Sequence, residues 1–183
     1  MNLDQLIKGC IKQNRKAQEE LYHVYKKTLY VLSLKYCSNE AEAEDNLHDA
    51  FIEIFSNIKN YKEKGSFEGW IKRITINKAI TRYKQSYVLT AIKDEYLQDE
   101  FINESEINLP LDTLLSFIQE LPHQYRLVFS LYELDDFSHQ EIASLLSISE
   151  NTSKSNLHRA KQILKDKIKS QSTFYYSKQK NGK

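Results

Sequence analysis

The stretch SHQEIASLLSISENTSKSNLHRAKQIL, residues 138–164, predicts two short helices joined by a tight turn. Ser138 and Glu141 form a capping-box pattern, which marks the start of the first helix. The apolar residues of that helix are Ile142, Ala143, Leu145 and Leu146. Residues 147–148 suit a tight turn, and Ser149 can cap the second helix. Two helices in this arrangement are typical of a helix-turn-helix.

The second of these helices has two different sides. The side expected to pack on a core carries Ser153, Leu157, Ala160 and Leu164. The candidate DNA-reading residues are Thr152, Lys154, Ser155, Asn156, His158 and Arg159. Short polar groups in the first turns can read bases, and basic groups beyond them can bind phosphates. An antiparallel helix pair with a solvated charged side is the alternative that this stretch leaves open.

Composition extends the helical prediction to all 183 residues. Four Gly and two Pro are too few for glycine-rich phosphate loops or for a fold with many tight turns. Two Cys and five His show no metal-ligand spacing, so we expect no metal and no other cofactor. We also expect no enzyme activity, because no pairing of a nucleophile with a base is visible. The absence of a long apolar run predicts a cytoplasmic protein without membrane insertion.

Charge divides the chain into three parts. Residues 1–90 carry 15 basic and 11 acidic side chains. Residues 91–120 carry one basic and eight acidic side chains, and residues 121–183 carry ten basic and six acidic ones. The net charges are therefore +4, −7 and +4. This pattern predicts an all-α protein with two helical domains joined by a flexible acidic linker. The predicted bounds are 1–88 for the first domain, 89–108 for the linker, 109–170 for the helix-turn-helix domain and 171–183 for a disordered basic tail.

Two predicted helices of the first domain carry opposite charge. Asn39 opens an amphipathic helix whose acidic residues lie mainly outside its apolar stripe. After a loop, residues 67–86 form a helix, and the run 71–93 that overlaps it has six basic residues and no acidic one. A basic helix with aromatic residues can bind single-stranded nucleic acid, because bases stack on the rings. The alternative is that Trp70 and its aromatic neighbours only pack in the core.

Three segments, in this order, resemble the extracytoplasmic-function (ECF) class of bacterial sigma factors. AEDNLHDAFIEIF, residues 43–55, is similar to the family's polymerase-binding helix. GSFEGWIKRITINKAITRYK, residues 65–84, is similar to its promoter-melting and −10-reading helix. Residues 121–164 resemble its −35-reading domain. The order of three separate motifs is more specific than any one of them.

The resemblance implies a role for each candidate site residue. It assigns core-polymerase binding to Glu44, Asp45, His48, Asp49 and Glu53, with Phe51 expected to pack inside. It assigns −10 DNA binding to Tyr61, Lys62, Lys64, Ser66, Trp70, Arg73, Asn77, Arg82 and Lys84. It assigns −35 DNA binding to the six polar and basic residues of the second helix named above. The chain departs from the family's pattern at His48, where Gln is usual, at Ser147, where Gly is usual, and at Asn156, where Arg is usual.

The resemblance also implies a function and its partners. A sigma factor binds core RNA polymerase, through the clamp of the largest subunit and the flap of the second largest. It then directs promoter recognition, promoter melting and transcription initiation, and an anti-sigma factor is an expected further partner. A stand-alone helix-turn-helix regulator is the alternative, but it leaves the acidic helix and the basic aromatic helix without a role. A helical protein-interaction adaptor does not explain the net charge of +7 in residues 150–183.

Overall fold

A computed structural model describes residues 2–86 and 109–180, with the side chains of Ser86 and of residues 172–180 left out. The regular elements in these two ranges are helices, and the chain divides into two compact units, residues 1–87 and 88–183. The predicted all-α fold with two helical domains is therefore confirmed. The predicted linker, residues 89–108, lies outside the described residues.

The first unit contains four α-helices. They are α1 (Leu3–Ile11), α2 (Arg15–Tyr36), α3 (Glu40–Asn57) and α4 (Phe67–Ser86), with a 3-10 turn at Ile58–Asn60. Asn2, Asn14 and Asn39 begin the first three helices, because each side-chain oxygen accepts a hydrogen bond from a backbone N–H of the first turn. Gly9 allows α1 to approach α2 closely, since an added Cβ would lie 2.6 Å from the Cβ of Ala17.

The core of the first unit lies among α2, α3 and α4. Its fully buried apolar side chains include Leu21, Leu29, Ala43, Ala50, Ile54 and Ile71. A buried polar residue also joins the three helices: Nδ2 of Asn46 donates to Oγ of Ser33 at 3.0 Å and to the backbone oxygen of Thr75 at 3.3 Å. Such bonds favour one arrangement of the three helices over others, because a shifted helix would leave the buried Nδ2 donor of Asn46 unsatisfied.

The second unit contains α5 (Leu111–Gln119), α6 (His123–Phe129), a π-helical turn (Ser130–Leu134), α7 (His139–Leu146) and α8 (Glu150–Lys180). The capping box of Ser138 and Glu141 is present at the start of α7. Ser147 ends α7 with φ 58°, a left-handed conformation that favours glycine. The buried guanidinium of Arg126 donates to the backbone oxygens of Gln119 and Leu121, which satisfies carbonyls at the end of α5.

Helix α8 extends into the segment that was predicted to be a disordered tail, residues 171–183. It continues through Lys180, so residues 171–180 have helical backbone, whereas residues 181–183 lie outside the described part of the chain. The physical reason is the absence of a helix breaker: after Pro122, the next Gly or Pro is Gly182.

Candidate functional site

The acidic residues of α3 lie on its solvent side. Glu44, Asp45, His48 and Asp49 are exposed, and Glu53 is half-buried. Buried residues on the opposite side of α3, among them Ala43, Leu47, Ala50 and Ile54, hold the helix against the core. Phe51 packs inside as expected, with its ring centroid 4.7 Å from that of Tyr22. The predicted polymerase-binding side chains are therefore brought together on one helix.

Arg82 lies against this acidic row. Its Nη1 is 3.3 Å from Oδ2 of Asp45, and its Nη2 is 2.7 Å from Oδ2 of Asp49. Burial alone would lower the pKa of Arg82, but hydrogen bonds and attraction from Asp49 and Asp45 raise its pKa above the ordinary value. A second pair joins Lys78 to Glu53 at 2.9 Å. The resemblance assigns Arg82 to the −10 DNA contacts, and in this structure its guanidinium lies between α4 and the acidic row of α3.

The outer side of α4 carries the other polar residues predicted for −10 DNA. Arg73, Asn77 and Lys84 are exposed, while Ile71, Thr75 and Ile76 of the same helix are buried. Asn77 borders an open groove of about 230 Å³ between α3 and α4, whose other lining residues are Glu53, Ile74, Lys78 and Thr81. The exposed amide of Asn77 can therefore donate and accept hydrogen bonds at the edge of this groove.

The loop before α4 is ordered by an aromatic group. The ring of Tyr61 lies 5.2 Å from the ring of Phe67 and 5.5 Å from that of Trp70, and its hydroxyl donates to the backbone oxygen of Gly65 at 2.8 Å. Trp70 is half-buried, so it packs against its neighbours and still reaches the surface. Lys62, Lys64 and Ser66 are exposed beside it. This arrangement combines cations with partly accessible rings, as a single-strand contact requires.

Helix α8 places most, but not all, of its candidate residues outside the core. Lys154 is exposed, and Thr152, Ser155, His158 and Arg159 are half-buried. Asn156 was expected outside, but it is only 3% exposed, and its Nδ2 is buried without a hydrogen-bond partner. At about 100° per residue, position 156 lies about 40° from Ala160 and about 60° from Ser153, both of which are fully buried. The sequence therefore contained the signal that places Asn156 on the core side.

Two contacts at the helix-turn-helix were not anticipated. Nδ1 of His139, at the start of α7, lies 2.9 Å from Oγ of Ser153, and the His139 ring stacks on Tyr132 at 4.3 Å. Burial lowers the pKa of His139, the positive charge of Lys154 lowers it further, and Glu150 opposes the shift. Arg159 donates from Nη1 to Oη of Tyr125 at 3.1 Å, which draws it toward α6.

Among the described residues, no cluster of three or more His, Cys, Asp or Glu side chains is arranged to hold a metal ion. Within the same part of the chain, no helix combines the length and the apolar composition that a membrane span needs.

Both units match family models of sigma factors. The model described as Sigma-70 region 2 matches residues 21–87, and that described as Sigma-70, region 4 matches residues 111–164. The chain is 28% identical to the ECF RNA polymerase sigma factor SigW of Bacillus subtilis, over 91% of this chain and 99% of that protein. It is 25% identical to the ECF RNA polymerase sigma-E factor of Escherichia coli K12, over 89% and 92% of the two chains.

A solved structure shares the fold. It is the co-crystal structure of the sigma factor RpoE with the anti-sigma factor NepR from Bartonella quintana, with a TM-score of 0.51 and 16% identity over 82% of this chain and 96% of that one. With both regions matched in order, this chain belongs to the ECF class of RNA polymerase sigma factors. It is thus a promoter-recognition factor of transcription initiation and not an enzyme. The stand-alone regulator is not favoured, because the region 2 match covers α3 and α4.

Proposed function

We propose that α3 binds the clamp of the largest polymerase subunit through its exposed acidic row. The observation that carries this proposal is the row itself: Asp45 and Asp49 have side chains 69% and 51% exposed, although they lie next to a fully packed helix face. Exposed carboxylates in fixed positions attract a cationic partner and set its orientation. Glu44, His48 and Glu53 extend the same surface along the helix.

The −10 element is bound, in this proposal, by α4 and the loop before it. Asn77 receives an unstacked base at the groove that it borders, and the exposed Arg73 and Lys84 follow the phosphates. Tyr61 and Trp70 offer aromatic surface beside Lys62, Lys64 and Ser66. Capture of an unstacked base favours melting, since extruding a base costs only a few kcal/mol.

The −35 element is bound as duplex by the first half of α8. Lys154 is the most accessible of the candidate side chains, and Thr152, Ser155, His158 and Arg159 flank it. Asn156 is left out of this surface because it is buried. Each good bidentate contact to a base supplies about 1–3 kcal/mol of discrimination.

The partners and the location follow from the same proposal. The second unit contacts the flap of the second-largest polymerase subunit, and the protein acts in the bacterial cytoplasm, where core polymerase works. An anti-sigma factor is an expected regulator, and the solved sigma factor with a similar fold was crystallised with one.

The test is a comparison of two variants with the same loss of charge. In Asp45→Asn/Asp49→Asn, we expect affinity for core polymerase to fall about tenfold or more. The control, Asp4→Asn/Glu19→Asn, removes two exposed acids from α1 and α2 and should bind like the wild type. Co-purification with core polymerase and transcription from a candidate promoter give the readouts. Equal affinity of the two variants would contradict the assignment of α3.

A further inference from the structure

Arg82 joins two carboxylates that stand one helical turn apart on α3. Its two terminal nitrogens contact different acids, Nη1 the Oδ2 of Asp45 and Nη2 the Oδ2 of Asp49. A planar, forked guanidinium holds two acceptors in a fixed geometry, whereas a lysine ammonium is a single point of charge on a flexible stem. The two contacts therefore fix the positions of both acids relative to one another.

The two acids are more accessible to solvent than Arg82. The Arg82 side chain is 33% exposed, against 69% for Asp45 and 51% for Asp49. Each of these two contacts uses one oxygen of its carboxylate, and a carboxylate can accept several hydrogen bonds. A cationic partner can therefore approach both acids from the solvent side without displacing Arg82.

The position of Arg82 argues against a main role on DNA. Its charge is directed to two carboxylates on α3, whereas Arg73 and Asn77 are exposed on the outer side of α4. A guanidinium that is neutralised by two acids attracts a phosphate less strongly than an unpaired one. Its contacts belong instead to the surface that α3 presents.

We propose that Arg82 is a positioning residue of the polymerase-binding surface, which holds Asp45 and Asp49 ready for a cationic patch on core polymerase. This inference rests on the proposed function of α3. Side chains that are ordered before binding lose less freedom when the partner arrives, so the ordered acids bind more tightly. The second pair, Lys78 with Glu53, continues the same line of contacts between α4 and α3.

The experiment measures the affinity of full-length variants for core polymerase. We expect Arg82→Gln to weaken binding about two- to fivefold, within the range that partly exposed ion pairs can give. Arg82→Lys keeps the charge but loses the fork, so it should recover less than half of that loss. Lys72→Gln is the matched control, because Lys72 pairs with Glu68 of its own helix. This control should bind polymerase like the wild type.

A double-mutant cycle separates positioning from general destabilisation. In the Asp45→Asn/Asp49→Asn background, Arg82→Gln should cause no further loss of polymerase affinity, because the acids that it holds are gone. Circular dichroism and the thermal midpoint show whether each variant is folded. A single-stranded −10 oligonucleotide should bind Arg82→Gln about as well as the wild type.

Each outcome has a defined meaning. If neutralising both acids leaves polymerase affinity unchanged, the proposed function of α3 fails. If it weakens binding but Arg82→Gln does not, or if Arg82→Gln weakens binding equally in both backgrounds, the positioning role is overturned. A loss confined to the −10 oligonucleotide would instead make Arg82 a DNA contact. Complete recovery by Arg82→Lys would reduce its role to charge alone and would also overturn the inference.

Discussion

Replacing Asn156 with leucine should stabilise the second unit. Asn156 is 3% exposed on the core side of α8, and its Nδ2 has no hydrogen-bond partner. A buried polar group left unsatisfied costs about 1–3 kcal/mol. Leucine has as many side-chain heavy atoms as asparagine, branches at the same atom and has no polar group to satisfy.

The expected gain is a net of three effects. Removing the unsatisfied donor contributes about 1–3 kcal/mol, and the higher helix propensity of leucine contributes a few tenths. Imperfect fit of the new side chain costs up to about 1.5 kcal/mol. We therefore expect the second unit to gain about 1 kcal/mol, which raises the unfolding midpoint of a domain this small by about 4–8 °C.

The assay must separate the second unit from the first. Hydrogen exchange read by mass spectrometry does so, because peptides from α7 and α8 report on the second unit alone. Asn151→Leu is the matched control: Asn151 is exposed on the same helix, and its replacement should change stability by less than about 0.5 kcal/mol. Faster exchange in Asn156→Leu than in the wild type would refute the reasoning, and so would a changed base preference at −35. Asn156→Arg should lower stability, because it buries a charge in the place of an amide.

The structure also predicts how three other residues affect the stability of their units. Ser147→Gly should slow hydrogen exchange in α7 and stabilise the second unit by about 0.5–1 kcal/mol, because Ser147 has φ 58°. Gly9→Ala should destabilise the first unit by about 1–2 kcal/mol in urea unfolding followed by Trp70 fluorescence, since its Cβ would lie 2.6 Å from that of Ala17. The pKa of His139 is lowered in the folded protein, so its neutral form is favoured there. The contribution of His139 to the stability of the second unit should therefore be fully present above about pH 6.5. It should decrease at lower pH, because the unfolded state binds a proton there more readily than the folded state. The substitution His139→Phe should remove this part of the pH dependence.

The helices could be predicted from the sequence because their signals are local. Asn39 and the pair Ser138 and Glu141 mark helix starts, and the predicted starts agree with the structure. The turn at residues 147–148 was also predicted, although Ser147 lacks the freedom of glycine. Caps and periodicity depend on residues within a few positions of each other, so one sequence is sufficient to find them.

The partners of the site residues could not be predicted in the same way. Arg82 is 37 residues from Asp45 along the chain, and their contact depends on how α3 crosses α4. Helical spacing tells which residues share a side of one helix, but it does not tell which neighbouring helix that side meets. Asn156 is a different case, because its angle relative to Ser153 and Ala160 follows from helical spacing alone.

The structure changes what the basic run of α4 means for DNA binding. The sequence of α4 contains five basic residues, and this number alone indicates a strong binding site for a polyanion. The five are Lys72, Arg73, Lys78, Arg82 and Lys84. Three of them pair with carboxylates of the same unit, Lys72 with Glu68, Lys78 with Glu53 and Arg82 with two acids. An ion pair within the protein reduces the field that a phosphate meets, so the count overstates the attraction. In a sigma factor this division is useful, because weak attraction for DNA in general leaves promoter choice to specific contacts such as those proposed for Asn77 and for the first turns of α8.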